Sequence, residues 1–195
     1  MTAPELTERF DQAFAYARHL HSEQRRKGTD VPYVAHLMGV AALVLEDGGD
    51  EDQAIAALLH DAAEDQGGLE TLEEIRGLFG DRIADIVEAC SDSLATPRPP
   101  WRERKERYLE HLRQAGPDVQ RVSRADKLNN ARGILRDLSR MGDDVWQRFS
   151  GGKDGVLWYY RTLVQVLQAG EPSPLVDDFT QVVARIEQLA SESGG

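Results

Sequence analysis

The chain has 195 residues, a single cysteine and a formal net charge of −11. This length predicts one domain over residues 1–195, large enough to bury a core without disulfides. The acidic balance disfavours a duplex nucleic-acid binder, because such proteins neutralise phosphates with Lys and Arg. No apolar run approaches the roughly 20 residues that span a bilayer, and no secretion signal opens the chain, so we expect a cytoplasmic protein without a membrane partner.

Apolar residues recur with helical spacing along nearly the whole chain, and no alternation is long enough to predict a strand. The expected fold is therefore an all-α, single-domain bundle of about 8–10 helices. Thr71 with Glu74 is typical of a capping box, and the prolines at 97–100 exclude a helix there. The predicted helices cover residues 5–24, 33–45, 50–63, 72–79, 81–93, 101–114, 118–138, 144–168 and 174–190. The tail 191–195 is expected to be disordered.

Basic residues are concentrated in one part of this acidic chain. Residues 98–140 contain 12 basic and 6 acidic residues. Such a stretch suits a small anionic ligand better than a polymer, although solvated helix faces would give the same pattern. The aromatic residues Trp146, Trp158, Tyr159 and Tyr160 are typical of a core, with the interface of a homo-oligomer as the alternative.

Three separated segments carry residues that could bind a metal ion. They are His36, the adjacent pair His60 and Asp61, and Asp126. A lone histidine on an apolar helix is more often a core residue. Adjacent helical side chains project about 100° apart, however, and an apolar core does not easily accept His60 and Asp61 together. Two imidazoles and two carboxylates suit manganese, iron, zinc or cobalt more than calcium, so we expect one divalent cation.

Charged residues near these candidates suggest how water and an anionic substrate would be handled. Glu64 follows His60 by four residues and lies one turn further along the same face, if the helix continues. With Asp65 it could orient and deprotonate water or protonate a leaving group. The run Arg25–Lys27 precedes His36 and could clamp phosphates or stack on a nucleobase. Exposed acids and basic residues at helix ends are the alternative interpretations.

The order of His36, then His60 and Asp61, then Asp126 resembles the HD phosphohydrolase superfamily. The similarity narrows to the stand-alone small alarmone hydrolases of the RelA/SpoT group through several short motifs. These motifs are Gln24–Lys27, Pro32–Tyr33, Ala56–Asp61 with Glu64–Asp65, Phe79–Gly80, and Ala125–Leu128 with Asn130. The match covers about residues 10–140, the expected metal and catalytic region, and residues 144–190 would form C-terminal packing helices.

This resemblance implies a manganese-dependent hydrolase that removes the 3′-diphosphate from the alarmone (p)ppGpp and releases pyrophosphate. It also assigns residues to roles. The implied metal ligands are His36, His60, Asp61 and Asp126. The acids that would manage the attacking water are Glu64 and Asp65. The substrate-binding residues would be Arg26 and Lys27 at the nucleobase and Asn130 at the nucleoside.

The chain departs from the family pattern at three positions. Leu37 replaces the usual proline after the first metal histidine, Gln66 replaces the usual threonine after the acids, and Gly133 has no side chain to read a guanine edge. These departures keep an adenine alarmone, (p)ppApp, open beside (p)ppGpp. The alternatives are an HD-type nucleotidase or phosphatase acting on another nucleotide, and a regulator that binds an alarmone without hydrolysing it.

Overall fold

The computed structural model describes residues 4–95 and 97–192, and the chain is mainly helical in these ranges. The expected all-α architecture is confirmed, and the extended pairing in the described part is an isolated bridge between Arg25 and Pro32. A 3-10 helix, Gly142–Arg148, follows the eighth α-helix. The α-helices are α1 Glu8–Leu20, α2 Val34–Glu46, α3 Glu51–Leu59, α4 Ala62–Gln66, α5 Leu69–Phe79, α6 Asp81–Cys90, α7 Trp101–Gln114, α8 Pro117–Met141, α9 Gly152–Gln168 and α10 Pro174–Glu192.

Helix α3 lies in the centre of the bundle. Its residues from Gln53 to Leu59 are all buried, because the run Ala54–Leu59 is apolar on every side and such a helix must be covered all round. Helices α1, α2, α6 and α8 pack against it, and α10 packs along α8 and α9. Each fully buried leucine of α3 contributes about 1.5–3 kcal/mol of transfer free energy. The packing of α2, α3 and α8 brings the polar residues of these helices together.

The third predicted helix, residues 50–63, is shorter than expected. Asp50 caps α3, because its side chain accepts from Gln53 N at 2.9 Å while Gln53 Oε1 accepts from Asp50 N at 3.0 Å. Helix α3 ends at Leu59, and α4 begins only at Ala62. The segment between them, His60 and Asp61, therefore lies at the junction of two helices instead of within one.

The capping box predicted at Thr71 was wrong. Helix α5 begins at Leu69, after Gly68, so Thr71 already lies inside the helix. Its hydroxyl donates instead to Gln66 O at 3.0 Å. This bond satisfies a carbonyl at the end of the preceding short helix and removes Thr71 from the capping role.

The predicted helix over residues 144–168 is divided into the 3-10 helix and α9. The chain turns at Gly152, whose φ of +59° is a conformation that favours glycine. Trp101 also packs closely here, since a Cβ at Gly151 would lie 2.7 Å from its ring. The approach of α7 therefore requires a residue without a Cβ at position 151, while position 152 favours glycine because of its φ angle.

Trp146, Tyr159 and Tyr160 are buried, which confirms the core interpretation for these three residues, and Trp158 is partly buried and packs against the core. Of the tail predicted to be disordered, residues 191–192 belong to α10, and residues 193–195 lie outside the described part, as does Thr96. Among the described residues, no helix is long and apolar enough to cross a membrane.

Candidate metal centre and substrate cavity

The fold brings all four predicted metal ligands together. His36 comes from the first turn of α2, His60 and Asp61 from the junction after α3, and Asp126 from α8. The candidate ligand atoms of His36, His60 and Asp126 lie within 4.8 Å of one another, and all three residues are buried. Asp61 Oδ2 lies 3.0 Å from His60 Nε2 and 3.5 Å from His36 Nε2. Two imidazoles and two carboxylates thus converge on one point.

Hydrogen bonds hold both imidazole rings with Nε2 directed into this cluster. His36 Nδ1 lies 2.7 Å from Asn129 Oδ1, and His60 Nδ1 lies 2.7 Å from Ala57 O. Both partners are acceptors, so each Nδ1 carries a proton, and each Nε2 can either give its lone pair to a metal ion or carry a second proton. Among the described residues, neither buried Nε2 atom makes a hydrogen bond of regular geometry, although Asp61 Oδ2 lies 3.0 Å from His60 Nε2. Orphaned buried nitrogens of this kind fit a divalent cation, which would take their lone pairs.

The two carboxylates are also held by neighbouring groups. The Tyr33 hydroxyl donates to Asp61 Oδ2 at 2.6 Å, while Lys127 Nζ and Asn130 Nδ2 each donate to Asp126 at 2.5 Å. Burial opposes ionisation of Asp126, yet Lys127 and the imidazoles hold its pKa well below the usual range. Both oxygens of Asp126 are therefore fixed as charged acceptors.

Charge pairing inside the cluster also shifts the remaining groups. Burial opposes ionisation of Asp61, but His60 and His36 keep its pKa well below the usual range. Burial likewise disfavours protonation of His60, but Asp61 and Asp126 raise its pKa well above the ordinary value. The cluster thus demands positive charge, and a metal ion or protons on the imidazoles can supply it.

The two candidate acids, Glu64 and Asp65, lie on the short helix α4, which directly follows the candidate metal ligands His60 and Asp61 in the chain. Glu64 Oε2 accepts from Asp92 N at 2.6 Å, and Asp65 Oδ2 accepts from Gln24 Nε2 at 2.8 Å. The side chain of Glu64 is 16% exposed and that of Asp65 27%. Burial and then the charge of Asp61 raise the pKa of both acids. Because α3 ends at Leu59 and α4 begins at Ala62, the two acids are positioned by α4. They do not lie on a continuation of α3, as the four-residue spacing from His60 to Glu64 predicts.

A cavity of about 300 Å³ opens beside the metal cluster. Its wall includes Tyr33, Lys127 and Asn130, which also contact the candidate ligands Asp61 and Asp126. Six basic residues line it, opposed among the described lining residues by the single acid Asp137. The basic residues are Arg26, Lys27, Lys105, Lys127, Arg136 and Arg148. Within a chain of net charge −11, such a positive cavity favours a ligand with several negative charges.

The residues predicted to bind substrate all line this cavity. Arg26 Nη2 donates to Asn130 Oδ1 at 2.7 Å, and the guanidinium lies 5.7 Å from the centre of the Tyr33 ring. Lys27 Nζ lies 5.8 Å from the Phe149 ring. Gly133 lies in the same wall, where a Cβ would be 3.7 Å from Arg26 Nη2. The missing side chain thus leaves space beside the guanidinium.

Sequence reasoning missed several residues that this arrangement uses. Lys105, Tyr159 and Tyr160 line the cavity although they come from α7 and α9. The excess of basic residues over 98–140 was a signal for Lys105. Nothing in the spacing of Tyr159 and Tyr160 distinguishes a cavity wall from ordinary core, and residues 144–190 therefore read as packing helices from the sequence alone.

Residues 13–157 match the HD domain family, and the chain belongs to this family. The resemblance inferred from the motifs is thereby confirmed.

Curated relatives then place the chain within the family. It is 38% identical over 138 residues to guanosine-3′,5′-bis(diphosphate) 3′-pyrophosphohydrolase MESH1 of Xenopus tropicalis, covering 69% of this chain and 72% of the relative. Against MESH1 of Mus musculus the identity is 32% over 186 residues, covering 94% and 93% of the two chains. The sequence match thus extends over nearly the whole chain.

Solved structures agree with these relatives. A metazoan ortholog of SpoT that hydrolyses ppGpp superimposes with a TM-score of 0.73 at 25% identity, covering 98% of this chain and 99% of the other. A protein of Listeria monocytogenes EGD-e superimposes with a TM-score of 0.69 at 30% identity, covering 81% and 99%. The helical bundle is therefore shared by proteins of similar size.

Proposed function

We propose that this chain is a cytoplasmic, metal-dependent hydrolase that removes the 3′-diphosphate from a guanosine or adenosine alarmone and releases pyrophosphate. The observation that carries the proposal is the buried cluster of His36, His60 and Asp126 beside a cavity with six basic residues. The curated MESH1 relatives bear the name of the same activity on guanosine-3′,5′-bis(diphosphate). A 3′-diphosphate with 5′-phosphates matches the charge of such a cavity.

The ligand set supports one divalent cation, and we propose manganese. His36, His60, Asp61 and Asp126 would hold it through two nitrogen and two oxygen donors, a mixture that manganese accepts. The orphaned Nε2 atoms of the two histidines support this assignment. When bound, the cation polarises phosphoryl oxygens and favours ionisation of water.

The hydrolysis itself would proceed by attack of water on the phosphorus joined to O3′. The P–O3′ bond breaks, O3′ takes a proton, and pyrophosphate leaves with the oxygen of the water. Glu64 would accept the proton of the water, since burial and Asp61 raise the pKa of its carboxylate toward the working range of a general base. Asp65, held by Gln24, would orient the same water.

The nucleoside would lie against Arg26 and Asn130. The guanidinium plane of Arg26, held by Asn130 and Tyr33, can stack on a purine. Lys27 would contribute charge at the same end of the cavity. Since Gly133 supplies no hydrogen-bonding side chain to a base edge, both (p)ppGpp and (p)ppApp remain candidates for the preferred substrate.

The test is incubation of the purified protein with Mn²⁺ and ppGpp, ppApp, 3′-phosphorylated nucleotides or dAMP, with products separated by ion exchange. Pyrophosphate released from an alarmone supports the proposal, and the faster alarmone defines the base preference. Free phosphate from dAMP, with no alarmone consumed, would establish the nucleotidase alternative. Tight binding of ppGpp or ppApp without turnover would establish the regulator.

A further inference from the structure

Lys105 is a largely enclosed cation to which the proposed mechanism gives no role. It lies on α7 and lines the cavity, and its side chain is 19% exposed. Its ammonium is 3.3 Å from Asp92 Oδ2 and 5.0 Å from the centre of the Tyr159 ring. The same Asp92 oxygen is also paired with Arg104. One carboxylate thus serves two cations, and the three N–H donors of Lys105 retain capacity for another acceptor.

Lys127 presents a second ammonium group to the same cavity. It lies 2.5 Å from Asp126 Oδ2 and 4.6 Å from the centre of the Tyr108 ring. Burial, and then the charge of Lys127, lower the pKa of Lys105 to about 8. Two ammonium groups that face one cavity repel each other, and an anion between them relieves that repulsion.

Both lysines are connected to the groups proposed to perform the chemistry. Lys127 donates to the candidate metal ligand Asp126. Lys105 reaches Glu64 through Asp92, whose backbone N–H donates to Glu64 Oε2 at 2.6 Å while its carboxylate pairs with Lys105. An anion held by the two lysines would therefore be connected, through Asp126 on one side and Asp92 on the other, to the metal centre and to the proposed general base.

We propose that Lys105 and Lys127 form an anion subsite that binds the terminal phosphate of the 3′-diphosphate and then retains pyrophosphate after hydrolysis. The identity of this anion rests on the proposed function. Holding the terminal phosphate positions the inner phosphorus for attack, and the lysines exchange no covalent bond. A nucleoside 3′-monophosphate lacks the group that the subsite binds, so the subsite selects 3′-diphosphates.

Isothermal titration of inorganic pyrophosphate into the metal-loaded protein tests the subsite without turnover. Lys105→Met should weaken pyrophosphate binding about tenfold or more, the usual effect of losing a charge-assisted hydrogen bond. Lys105→Arg should restore most of the affinity because it keeps the charge. Lys153→Met is the matched control, since Lys153 pairs with Asp143 at 2.8 Å outside the cavity wall. Metal content and thermal midpoint are measured for every variant.

Wild-type pyrophosphate affinity in Lys105→Met, at unchanged metal content, would overturn the subsite. An equal loss of affinity for inorganic phosphate and for pyrophosphate in Lys105→Met would also overturn it. Such a result would mean that Lys105 attracts any anion through its charge and does not recognise the terminal phosphate of a diphosphate. If Lys105→Met unfolds, Lys105→Gln keeps a polar contact to Asp92 and gives the same comparison. If pyrophosphate binding depends on Lys105 but the protein hydrolyses no alarmone, the anion subsite is retained and the proposed hydrolase function is refuted. If the protein hydrolyses an alarmone but pyrophosphate binding does not depend on Lys105, the function is retained and the subsite is refuted.

Discussion

Asn129→Ala should weaken metal binding although Asn129 is not a ligand. Its Oδ1 accepts from His36 Nδ1 at 2.7 Å, which fixes the ring and keeps the lone pair on Nε2. Loss of such a supporting bond costs about 10–100-fold in metal affinity, or about 1.4–2.7 kcal/mol. The buried Nδ1–H also loses its partner, which costs about 1–3 kcal/mol of folding stability.

The affinity is measured by titration of Mn²⁺ into metal-free protein, and the stability by urea unfolding of the same samples. Asn129→Asp keeps the acceptor and should retain metal binding. Ser139→Ala on the same helix is the matched control, because Ser139 is exposed and donates only to Leu135 O. Wild-type Mn²⁺ affinity in Asn129→Ala would refute the argument that this amide orients His36.

The remaining predictions concern the metal, the base, the nucleotide and the anion subsite. His60→Ala should abolish both metal content, measured by elemental analysis, and hydrolysis, whereas Glu64→Gln should keep the metal and lower kcat about 10²–10⁴-fold; a fully active Glu64→Gln protein contradicts its role. Arg26→Ala should raise the KM for the alarmone by a larger factor than it raises the Kd for Mn²⁺. An unchanged KM would show that Arg26 does not contact the nucleotide. Pyrophosphate affinity should fall as the pH rises through about 8, the pKa to which burial and then Lys127 lower Lys105; the other charged groups near it are Asp92, Arg104, Glu64 and Asp126. Lys105→Arg should lack this component, and an identical pH profile in that variant refutes the assignment.

The helical fold and the metal-ligand candidates could be predicted from local information. Helical spacing of apolar residues indicated most helices, with α7 matching its predicted range 101–114. The pair His60 and Asp61 stood out because two adjacent polar side chains after an apolar run are costly without a partner. The resemblance added Asn130, which spacing alone did not single out.

Helix boundaries near the site were less predictable. At the junction, Asp61 contacts Tyr33 and His36 from a distant part of the chain, and a distant segment also packs at Gly151. Trp101 packs against Gly151 from α7, a constraint that no local pattern around residues 144–168 contains. Local propensity yields to tertiary packing at such positions.

The sequence by itself thus determined the fold class, the family and the types of donor available for a metal, because periodicity and residue chemistry are local properties. Only the tertiary structure decided that Lys105 and Tyr159 share a cavity with Lys127, and that Asn129 supports His36. Burial, charge repulsion and hydrogen-bond partners depend on which helices pack together, and those neighbours lie far apart along the chain. The proposed anion subsite is therefore a property of the packed bundle.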